Sequence, residues 1–305
     1  MQIANSALIG LGAVGTVYGN LLHKTYGEKF AVIAGGKRGQ KIIQEGVKLN
    51  HVPYFPKVIA PENMDYKADL LIVCVKNHQL EAAISDMKNV VTDTTIILPL
   101  LNGITAKERL SAAFPHATVL YGLSLLIDGL RTSEGVVNTN NGVIQFGYAS
   151  NEPTIAPDVL AIERYLNHAG IDTKVFPDMI RTVWRKWLLN VAYNQVSAVT
   201  GFNFSQLAAS ESAKKLIYDA LLEVVQIAEA SQINLTATDA EEIIKTMDSF
   251  SPDGKTSMLQ DIEAKRLTEV DYFSGTVIEY GRRLNIPTPV NYVLYHIIKS
   301  IEQTF

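Results

Sequence analysis

Residues 7–15 read ALIGLGAVG, a short apolar run followed by three glycines in the spacing GxGxxG. The run from Ala7 to Ile9 predicts a buried strand, and the pattern from Val14 to Lys24 predicts a helix. A glycine-rich turn between a strand and a helix is typical of the first unit of a parallel sheet. This stretch therefore predicts an α/β fold for the first part of the chain.

The alternation of strand and helix patterns continues to about residue 175. The other predicted strands are Phe30 to Ala34, Leu70 to Val75, Thr95 to Leu98, Thr118 to Leu123 and Val143 to Phe146. The other predicted helices are Gly39 to Glu45, Gln79 to Lys88 and Ala106 to Ala113. Such alternation predicts an N-terminal Rossmann-type, doubly wound parallel sheet with helices on both faces. We expect a strand group around Gly135 to Phe146, with a turn at Asn140-Asn141-Gly142, to extend this sheet antiparallel.

After Val175-Phe176-Pro177 the strand patterns fade and helical patterns follow. They cover Met179 to Val199, Ser210 to Ser231, Asp239 to Ser249 and Glu269 to Thr304. A chain of 305 residues is long enough for two domains with separate cores. We therefore predict a Rossmann-type domain at residues 1–176 and an all-α C-terminal domain at residues 177–305.

Composition narrows the class of protein and its partners. The formal net charge of −4 gives no electrostatic reason to expect nucleic acid or an anionic membrane as a partner. No apolar run reaches the ~20 residues that span a bilayer. The single cysteine, Cys74, lies in the apolar run LLIVCV, so we expect a buried thiol and a cytoplasmic location. The six histidines lie far apart in sequence, so we expect no metal site.

The segment Gly10-Leu11-Gly12-Ala13-Val14-Gly15 predicts a dinucleotide site. Gly10 permits the tight turn, Gly12 lets the backbone approach a pyrophosphate, and Gly15 lets the helix pack against the strand. The pyrophosphate then lies at the helix N-terminus, where unpaired N–H groups and the helix dipole favour anions.

The end of the second predicted strand bears on the choice of cofactor. Sites that prefer NAD usually carry an acid about 20 residues after the glycines, which binds the ribose 2′-hydroxyl. Here the sequence is Ala34-Gly35-Gly36-Lys37-Arg38, with two cations and no acid. Lys37 and Arg38 are suited to a 2′-phosphate, which favours NADPH. The alternative is a solvated basic pair at the start of a surface helix.

Two more polar residues follow predicted strands. Lys76 comes directly after LLIVCV, and Asn102 follows TTIILPLL. Ligands of open parallel sheets bind beyond the carboxyl ends of the strands, so we expect both residues near the nicotinamide. Ordinary loop residues would give the same pattern.

The segment WRKWLLNVAYN, residues 184–194, places three polar residues at helical spacing. Lys186, Asn190 and Asn194 recur in steps of four and lie along one stripe of an otherwise apolar helix. Buried polar groups need partners, and a small polar substrate along the stripe would provide them. The alternative is a stripe that faces solvent.

Two later segments add polar groups. Ser257 and Gln260 fit a capping box, so Ser257 is expected to begin a helix and to offer its hydroxyl to a substrate carboxylate. Thr268 is expected to cap another helix, with Glu269 in its first turn. A nearby Lys186 would keep Glu269 ionised.

Taken together, these segments resemble the ketopantoate reductases (2-dehydropantoate 2-reductases). The resemblance covers GLGAVG, CVKNHQ, LLNGIT, WRKWLLNVAYN and SMLQDIEAKRLTEVDYFSG. It implies that Lys186 is the general acid, that Asn190 and Asn194 contact the substrate, and that Ser257 binds its carboxylate. It also implies that Glu269 orients substrate and lysine and that Lys76 and Asn102 lie at the nicotinamide and the substrate, with NADPH as cofactor.

The resemblance has one departure and leaves alternatives open. Many members carry an arginine close to the end of the second strand, where this chain has Gly35, and we expect Lys37 or Arg38 to substitute. One alternative is a D-2-hydroxyacid dehydrogenase that acts on another 2-oxo acid. Another is a non-catalytic NADPH-binding sensor, against which the complete polar set argues. A homodimer is one option for assembly.

Overall fold

The computed structural model describes residues 2–246 and 251–305. The chain forms two compact units, which divide between Ile180 and Arg181. This division falls in the first turn of a helix that begins at Met179, a few residues after the boundary predicted from the sequence.

The described residues of the first unit, from residue 2 onward, form thirteen strands and five complete α-helices. The strands are β1 (Ser6–Ile9), β2 (Phe30–Ile33), β3 (Val47–Leu49), β4 (Val52–Tyr54), β5 (Lys57–Ile59), β6 (Leu70–Val73), β7 (Ile96–Pro99), β8 (Thr118–Val119), β9 (Tyr121–Leu125), β10 (Leu130–Thr132), β11 (Gly135–Val137), β12 (Val143–Gly147) and β13 (Asp172–Lys174). The helices are α1 (Ala13–Tyr26), α2 (Gly36–Glu45), α3 (Leu80–Met87), α4 (Ala106–Ala113) and α5 (Pro157–His168).

The main sheet has six parallel strands in the order β5-β2-β1-β6-β7-β8. The chain therefore reverses direction across the sheet between β1 and β6, where open parallel sheets form their ligand crevice. Alternate residues of these strands enter two separate apolar layers. Leu8 and Val32 pack with α1 and α5 on one face. Ala7 and Ile33 pack with α3 and α4 on the other. The predicted Rossmann-type, doubly wound sheet is confirmed.

The expected antiparallel extension of this sheet is wrong. β11 joins a separate sheet of order β10-β11-β3-β4, and β12 pairs with β9 and β13 in a third sheet. The turn at Gly142 does adopt a positive φ of 65°, but the strands on either side of it belong to different sheets. Alternation in sequence indicates a strand and one buried face, whereas the choice of partner depends on distant residues.

In residues 181–246 and 251–305 the second unit consists of helices joined by turns, with no strand. It contains most of α6 (Met179–Thr200), followed by α7 (Phe204–Ala209), α8 (Glu211–Ala230), α9 (Ala237–Lys245), α10 (Ser257–Glu263), α11 (Ser274–Leu284) and α12 (Pro289–Glu302). The predicted all-α domain is thus observed, although the last predicted group divides into α11 and α12. Part of the predicted helix Asp239 to Ser249 lies outside the described residues. Within the described ranges no helix is long and apolar enough to cross a membrane.

Candidate active site

The glycines of the GLGAVG turn differ in what the fold requires of them. Gly10 has a φ of +96°, and a Cβ there would lie 2.7 Å from the carbonyl oxygen of Cys74. A Cβ on Gly15 would lie 1.9 Å from the carbonyl oxygen of Gly10. The fold therefore requires glycine at both positions even without a ligand, because β1, β6 and α1 approach each other closely here.

Gly12 has no such constraint. Its φ of −75° is open to any residue, and a Cβ there would meet its nearest heavy atom only at 4.0 Å. Within the described chain, no side chain caps α1 and no acidic residue occupies its first turn, which includes Ala13 and Val14. The N–H groups of that turn and the positive end of the helix dipole thus face the space beside Gly12. This cradle, which a Cβ would partly fill, fits the close approach of a pyrophosphate.

Two neighbouring loops meet at the same edge of the sheet. The backbone N–H of Cys74 donates to the carbonyl of Ile9 at 2.8 Å, and the side-chain amide of Asn77 donates to the carbonyl of Asn102 at 2.7 Å. Lys76 and Asn102 are both partly exposed at the carboxyl ends of β6 and β7. The structure therefore brings Lys76, Asn102 and the glycine turn to one edge. Cys74 is partly exposed as a residue, but desolvation of its thiol raises the pKa of that thiol and leaves it protonated at neutral pH.

The two cations after β2 lie in the first turn of α2. Lys37 and Arg38 are both exposed, and Gly35 occupies the N-cap position. A Cβ on Gly35 would lie 2.8 Å from Cδ of Pro61, so an arginine at position 35 would collide with the loop after β5. This collision gives a physical reason why the chain has glycine at position 35, where many related chains carry arginine. The cations of this chain stand two and three residues later.

The structure brings a third cation, Arg131, near Arg38 in the first turn of α2, and the sequence did not predict it. Arg131 lies on β10, two residues after Gly129, whose added Cβ would lie 3.0 Å from the Cβ of Ala13. Desolvation and then the charge of Arg131 lower the pKa of Arg38, whereas Asp86 acts in the opposite direction. β10 reaches this position because β11 pairs with β3. No local pattern in the sequence signals that pairing.

The polar stripe of α6 is largely buried in the second unit. Asn190 is 8% exposed and Asn194 is 5% exposed, so the alternative of a solvent-facing stripe does not hold for these two residues. Nδ2 of Asn194 donates to Oδ1 of Asn190 at 3.2 Å. Oδ1 of Asn194 accepts hydrogen bonds from the hydroxyl of Ser257 at 3.1 Å and from the N–H of Met258 at 3.3 Å. The stripe is thus joined to the start of α10.

The predicted capping role of Ser257 is wrong by one residue. Thr256 is the N-cap of α10, and its hydroxyl accepts from the N–H of Leu259 at 3.3 Å. Ser257 is the first helical residue and exposed. Adjacent threonine and serine both favour the cap position, so local sequence could not separate them. The consequence is that the Ser257 hydroxyl is not used as a cap and instead donates to Asn194.

Glu269 lies beside the lysine of the stripe but not in a helix. It precedes a single 3₁₀ turn, Val270–Tyr272, whereas α11 begins only at Ser274, so the expected place in the first turn of an α-helix is wrong. The hydroxyl of Thr268 accepts from the N–H of Val270 at 3.2 Å, and the indole N–H of Trp187 donates to the carbonyl of Tyr272 at 3.1 Å. The first bond spans Glu269 within the turn, and the second joins the turn to α6.

Electrostatics single out Lys186. Burial lowers the pKa of its ammonium group to about 8, and the carboxylate of Glu269 acts in the opposite direction. A lysine with this pKa is mostly protonated at pH 7 yet is a stronger acid than an exposed lysine. The second unit thus contains a lysine with a lowered pKa, a buried carboxylate, two side-chain amides and a hydroxyl, which belong to Lys186, Glu269, Asn190, Asn194 and Ser257. Among the described residues no cluster of three or more histidine, cysteine, aspartate or glutamate side chains forms a metal site.

Comparison with known proteins identifies the family of this chain. The profile of the family "Ketopantoate reductase PanE/ApbA" matches residues 6–151, and that of "Ketopantoate reductase PanE/ApbA C terminal" matches residues 178–302. The chain belongs to this family of oxidoreductases. It is 29% identical to a 2-dehydropantoate 2-reductase of Vibrio cholerae over 99% of both chains. It is 26% identical to one of Pyrococcus horikoshii, over 97% of this chain and 96% of the relative.

Solved structures agree in fold. A D-mandelate dehydrogenase, described in a ternary structure with NADH and anilino(oxo)acetate, superposes with a TM-score of 0.88 at 24% identity, over 98% of both chains. A PanE/ApbA family ketopantoate reductase from Ralstonia eutropha superposes with a TM-score of 0.83 at 24% identity, over 98% of this chain and 99% of the other. At these identities the likeness shows the fold alone.

Proposed function

We propose that the protein catalyses the NADPH-dependent reduction of 2-dehydropantoate to (R)-pantoate, a step towards pantothenate and coenzyme A. The observation that carries this proposal is the polar set of the second unit, in which a lysine of pKa about 8 stands beside Glu269. The same helix carries the hydrogen-bonded pair Asn190 and Asn194. The single cysteine fits a reducing cytoplasm as the place of action.

The reaction needs a proton donor at the substrate carbonyl. The nicotinamide, when bound, supplies the hydride that adds to the ketone carbon. Lys186 stabilises the negative charge that develops on the carbonyl oxygen and transfers a proton to it. Glu269 keeps a negative charge close to the ammonium group, which favours the protonated form before the reaction and orients it.

The hydroxyl and amide groups of the second unit are suited to a small 2-oxo acid. Ser257 is exposed at the start of α10, where its hydroxyl and the positive end of the helix favour a carboxylate. Asn190 offers an amide one turn from Lys186 and is held by Nδ2 of Asn194. The single proton of the Ser257 hydroxyl, which is donated to Oδ1 of Asn194 in this structure, would turn to the carboxylate when the acid binds. In this proposal Asn190 and Ser257 touch the substrate, and Asn194 contributes by fixing their positions.

The first unit is proposed to bind NADPH. The pyrophosphate would lie at the cradle beside Gly12, with Leu11, Ala13 and Val14 forming its backbone wall. Lys37 and Arg38 would meet the 2′-phosphate, and Arg131 would add a second guanidinium. The neighbouring guanidinium groups of Arg38 and Arg131 repel each other unless an anion lies between them, which favours the phosphorylated cofactor. Lys76 and Asn102 would line the nicotinamide end.

The deciding experiment is NADPH oxidation with a panel of 2-oxo acids that includes 2-dehydropantoate, pyruvate, straight-chain homologues and phenylglyoxylate. We expect the highest kcat/KM for 2-dehydropantoate. If an aryl or straight-chain acid is preferred by more than an order of magnitude, the proposed substrate is wrong. Retention of activity by Lys186→Ala would instead show that the proposed chemistry is wrong.

A second candidate function keeps the chemistry and changes the substrate. A D-2-hydroxyacid dehydrogenase that reduces another 2-oxo acid would use the same polar set, and a D-mandelate dehydrogenase shares the fold of this chain. The same panel separates the two candidates, provided that NADH is tested beside NADPH with each acid.

A homodimer is the proposed assembly. On α12, Tyr292, Val293 and Ile297 are exposed by 49%, 55% and 42%, and they lie on one side of the helix. A structural neighbour from Staphylococcus aureus, with a TM-score of 0.80 and 21% identity, is described as a dimeric ketopantoate reductase. Light scattering after size exclusion tests this, with twice the mass of one chain expected and a single-chain mass contradicting it.

A further inference from the structure

The residue before Glu269 is held by the far end of the chain. Thr268 donates two hydrogen bonds to Oε1 of Glu302, from its N–H at 2.8 Å and from its hydroxyl at 2.6 Å. The same hydroxyl accepts from the N–H of Val270, on the other side of Glu269. Thr268 and Glu302 are both buried and stand 34 residues apart in sequence. One buried carboxylate of α12 therefore fixes the backbone around Glu269.

A second contact from α12 holds the residues after Glu269. Nζ of Lys299 lies 2.9 Å from Oε2 of Glu302 and 3.3 Å from Oδ2 of Asp271, and the hydroxyl of Tyr295 donates to Oδ1 of Asp271 at 2.8 Å. Lys299 thereby neutralises Glu302 and ties it to the turn. Glu269 thus lies in sequence between Thr268 and Asp271, which are both held by hydrogen bonds or ion pairs from α12.

The ion pair of Lys299 and Glu302 is half-buried, because the Glu302 carboxylate is shielded while the Lys299 side chain is 34% exposed. Its desolvation often offsets the attraction between the charges, so apolar residues of similar size would serve stability as well or better. The pair does provide directional bonds to Thr268 and Asp271, on either side of Glu269 in the sequence, which apolar packing does not. This argues that the arrangement maintains a position rather than overall stability.

We propose that Glu302 is a positioning residue that, through Thr268, holds Glu269 beside Lys186. The proposal rests on the proposed function, because it takes Lys186 as the proton donor. The groups that act on Glu302 and its surroundings are Lys299, Asp271 and Tyr295, and the group that acts on Lys186 is Glu269. If Glu269 moves away, burial of Lys186 acts unopposed and its pKa falls.

Two variants test this, Thr268→Val and Glu302→Ala, with Thr268→Ser as the conservative variant that restores the hydroxyl. Ser300→Ala is the matched control, since this exposed serine of α12 donates its hydroxyl to the carbonyl of His296 in its own helix. The readout is the pKa of Lys186, measured on the full chain by NMR after reductive ¹³C-methylation, with Lys186→Ala assigning the resonance. Thermal unfolding shows which variants are folded.

We expect Thr268→Val and Glu302→Ala to lower the pKa of Lys186 by about one unit, while Thr268→Ser and Ser300→Ala leave it unchanged. In assays, kcat should fall by a larger factor than KM rises. An unchanged lysine pKa in the folded variants would overturn the proposal. If Glu302→Ala does not fold, Thr268→Val decides, because it leaves the pair of Glu302 and Lys299 in place. The NMR readout needs no substrate, so failure of the proposed reaction would be seen separately, as activity of Lys186→Ala.

Discussion

Asn194 and Ser257, 63 residues apart in sequence, are joined by a hydrogen bond of 3.1 Å from the serine hydroxyl to the amide oxygen. The same oxygen accepts from the N–H of Met258. Asn194 therefore sets the position of α10 against α6, and the effect of changing it should exceed that of changing either partner.

The first prediction compares Asn194→Ala with Ser257→Ala. Loss of the serine hydroxyl removes one hydrogen bond to a charged carboxylate, worth about 1.5–3 kcal/mol, so KM for the 2-oxo acid should rise roughly tenfold to a hundredfold. Asn194→Ala should raise KM further and also lower the melting temperature, because it leaves buried groups unpaired. Ser251→Ala, an exposed serine before α10, is the control. Equal effects of Ser251→Ala and Ser257→Ala on KM would refute the assignment.

The second prediction concerns Lys186→Ala. Loss of a positioned general acid should lower kcat by roughly 10²–10⁴. Affinity for NADPH should change little, since the proposed cofactor residues belong to the first unit. Lys88→Ala, at an exposed lysine after α3, is the control and should match the wild type. Near wild-type turnover by a folded Lys186→Ala enzyme would falsify the proposed mechanism.

The third prediction is a pH dependence with a definite sign. Reduction needs the protonated form of Lys186, whose pKa is about 8, so kcat/KM should be constant below that pH and fall as the pH rises through it. Oxidation of the hydroxy acid needs the neutral amine, so its rate should rise over the same range. Lys186→Arg should be slow in both directions and should lack this transition, because arginine stays charged. Profiles that run the same way in both directions would exclude Lys186 as the titrating group.

The fourth prediction concerns the cations near α2. Lys37→Ala combined with Arg38→Ala should weaken NADPH binding at least about tenfold, the loss expected for one or more charged hydrogen bonds, and should affect NADH far less. Arg131→Ala should act in the same direction. Lys41→Ala, an exposed lysine later in α2, is the control and should spare both cofactors. Calorimetric titrations check this, and equal losses for NADPH and NADH would disprove a 2′-phosphate site.

The fifth prediction contrasts two glycines of one turn. Gly15→Ala places a methyl group 1.9 Å from the carbonyl of Gly10 and should destabilise the protein by about 1–3 kcal/mol or more. Gly12→Ala meets no close atom and should leave the unfolding free energy within about 0.5 kcal/mol of the wild type. Gly12→Ala should nevertheless weaken NADPH binding. Denaturant melts and cofactor titration measure both quantities, and normal NADPH affinity of Gly12→Ala would remove the cradle from the proposal.

Local signals predicted the parts of the fold that local residues determine. The run Ala7–Gly15 was sufficient for β1 and α1 because the strand, turn and helix follow each other directly. Helix α4 was predicted with its observed bounds, Ala106–Ala113. Helix α5 was missed although Val159, Ile162 and Leu166 repeat at helical spacing, because the prolines and asparagine before it read as a loop.

The candidate site divides in the same way. Lys186, Asn190 and Asn194 could be predicted because helical spacing alone places them on one stripe. The exact cap at Thr256, the 3₁₀ turn after Glu269 and the approach of Arg131 to Arg38 could not. Each depends on contacts between segments far apart in sequence, such as the pairing of β11 with β3 or the bonds from Glu302 to Thr268.

The raised pKa of the Cys74 thiol has a practical consequence. Because its pKa is raised and the chain has no other cysteine, the native protein should react slowly with maleimides and give a dark background for fluorophore labelling. Gln40→Cys on α2 and Ser251→Cys before α10 introduce exposed thiols, one in each unit. A dye at position 40 would report binding of the nucleotide, and a dye at position 251 would report binding of the 2-oxo acid. The order in which the two bind could then be measured by fluorescence.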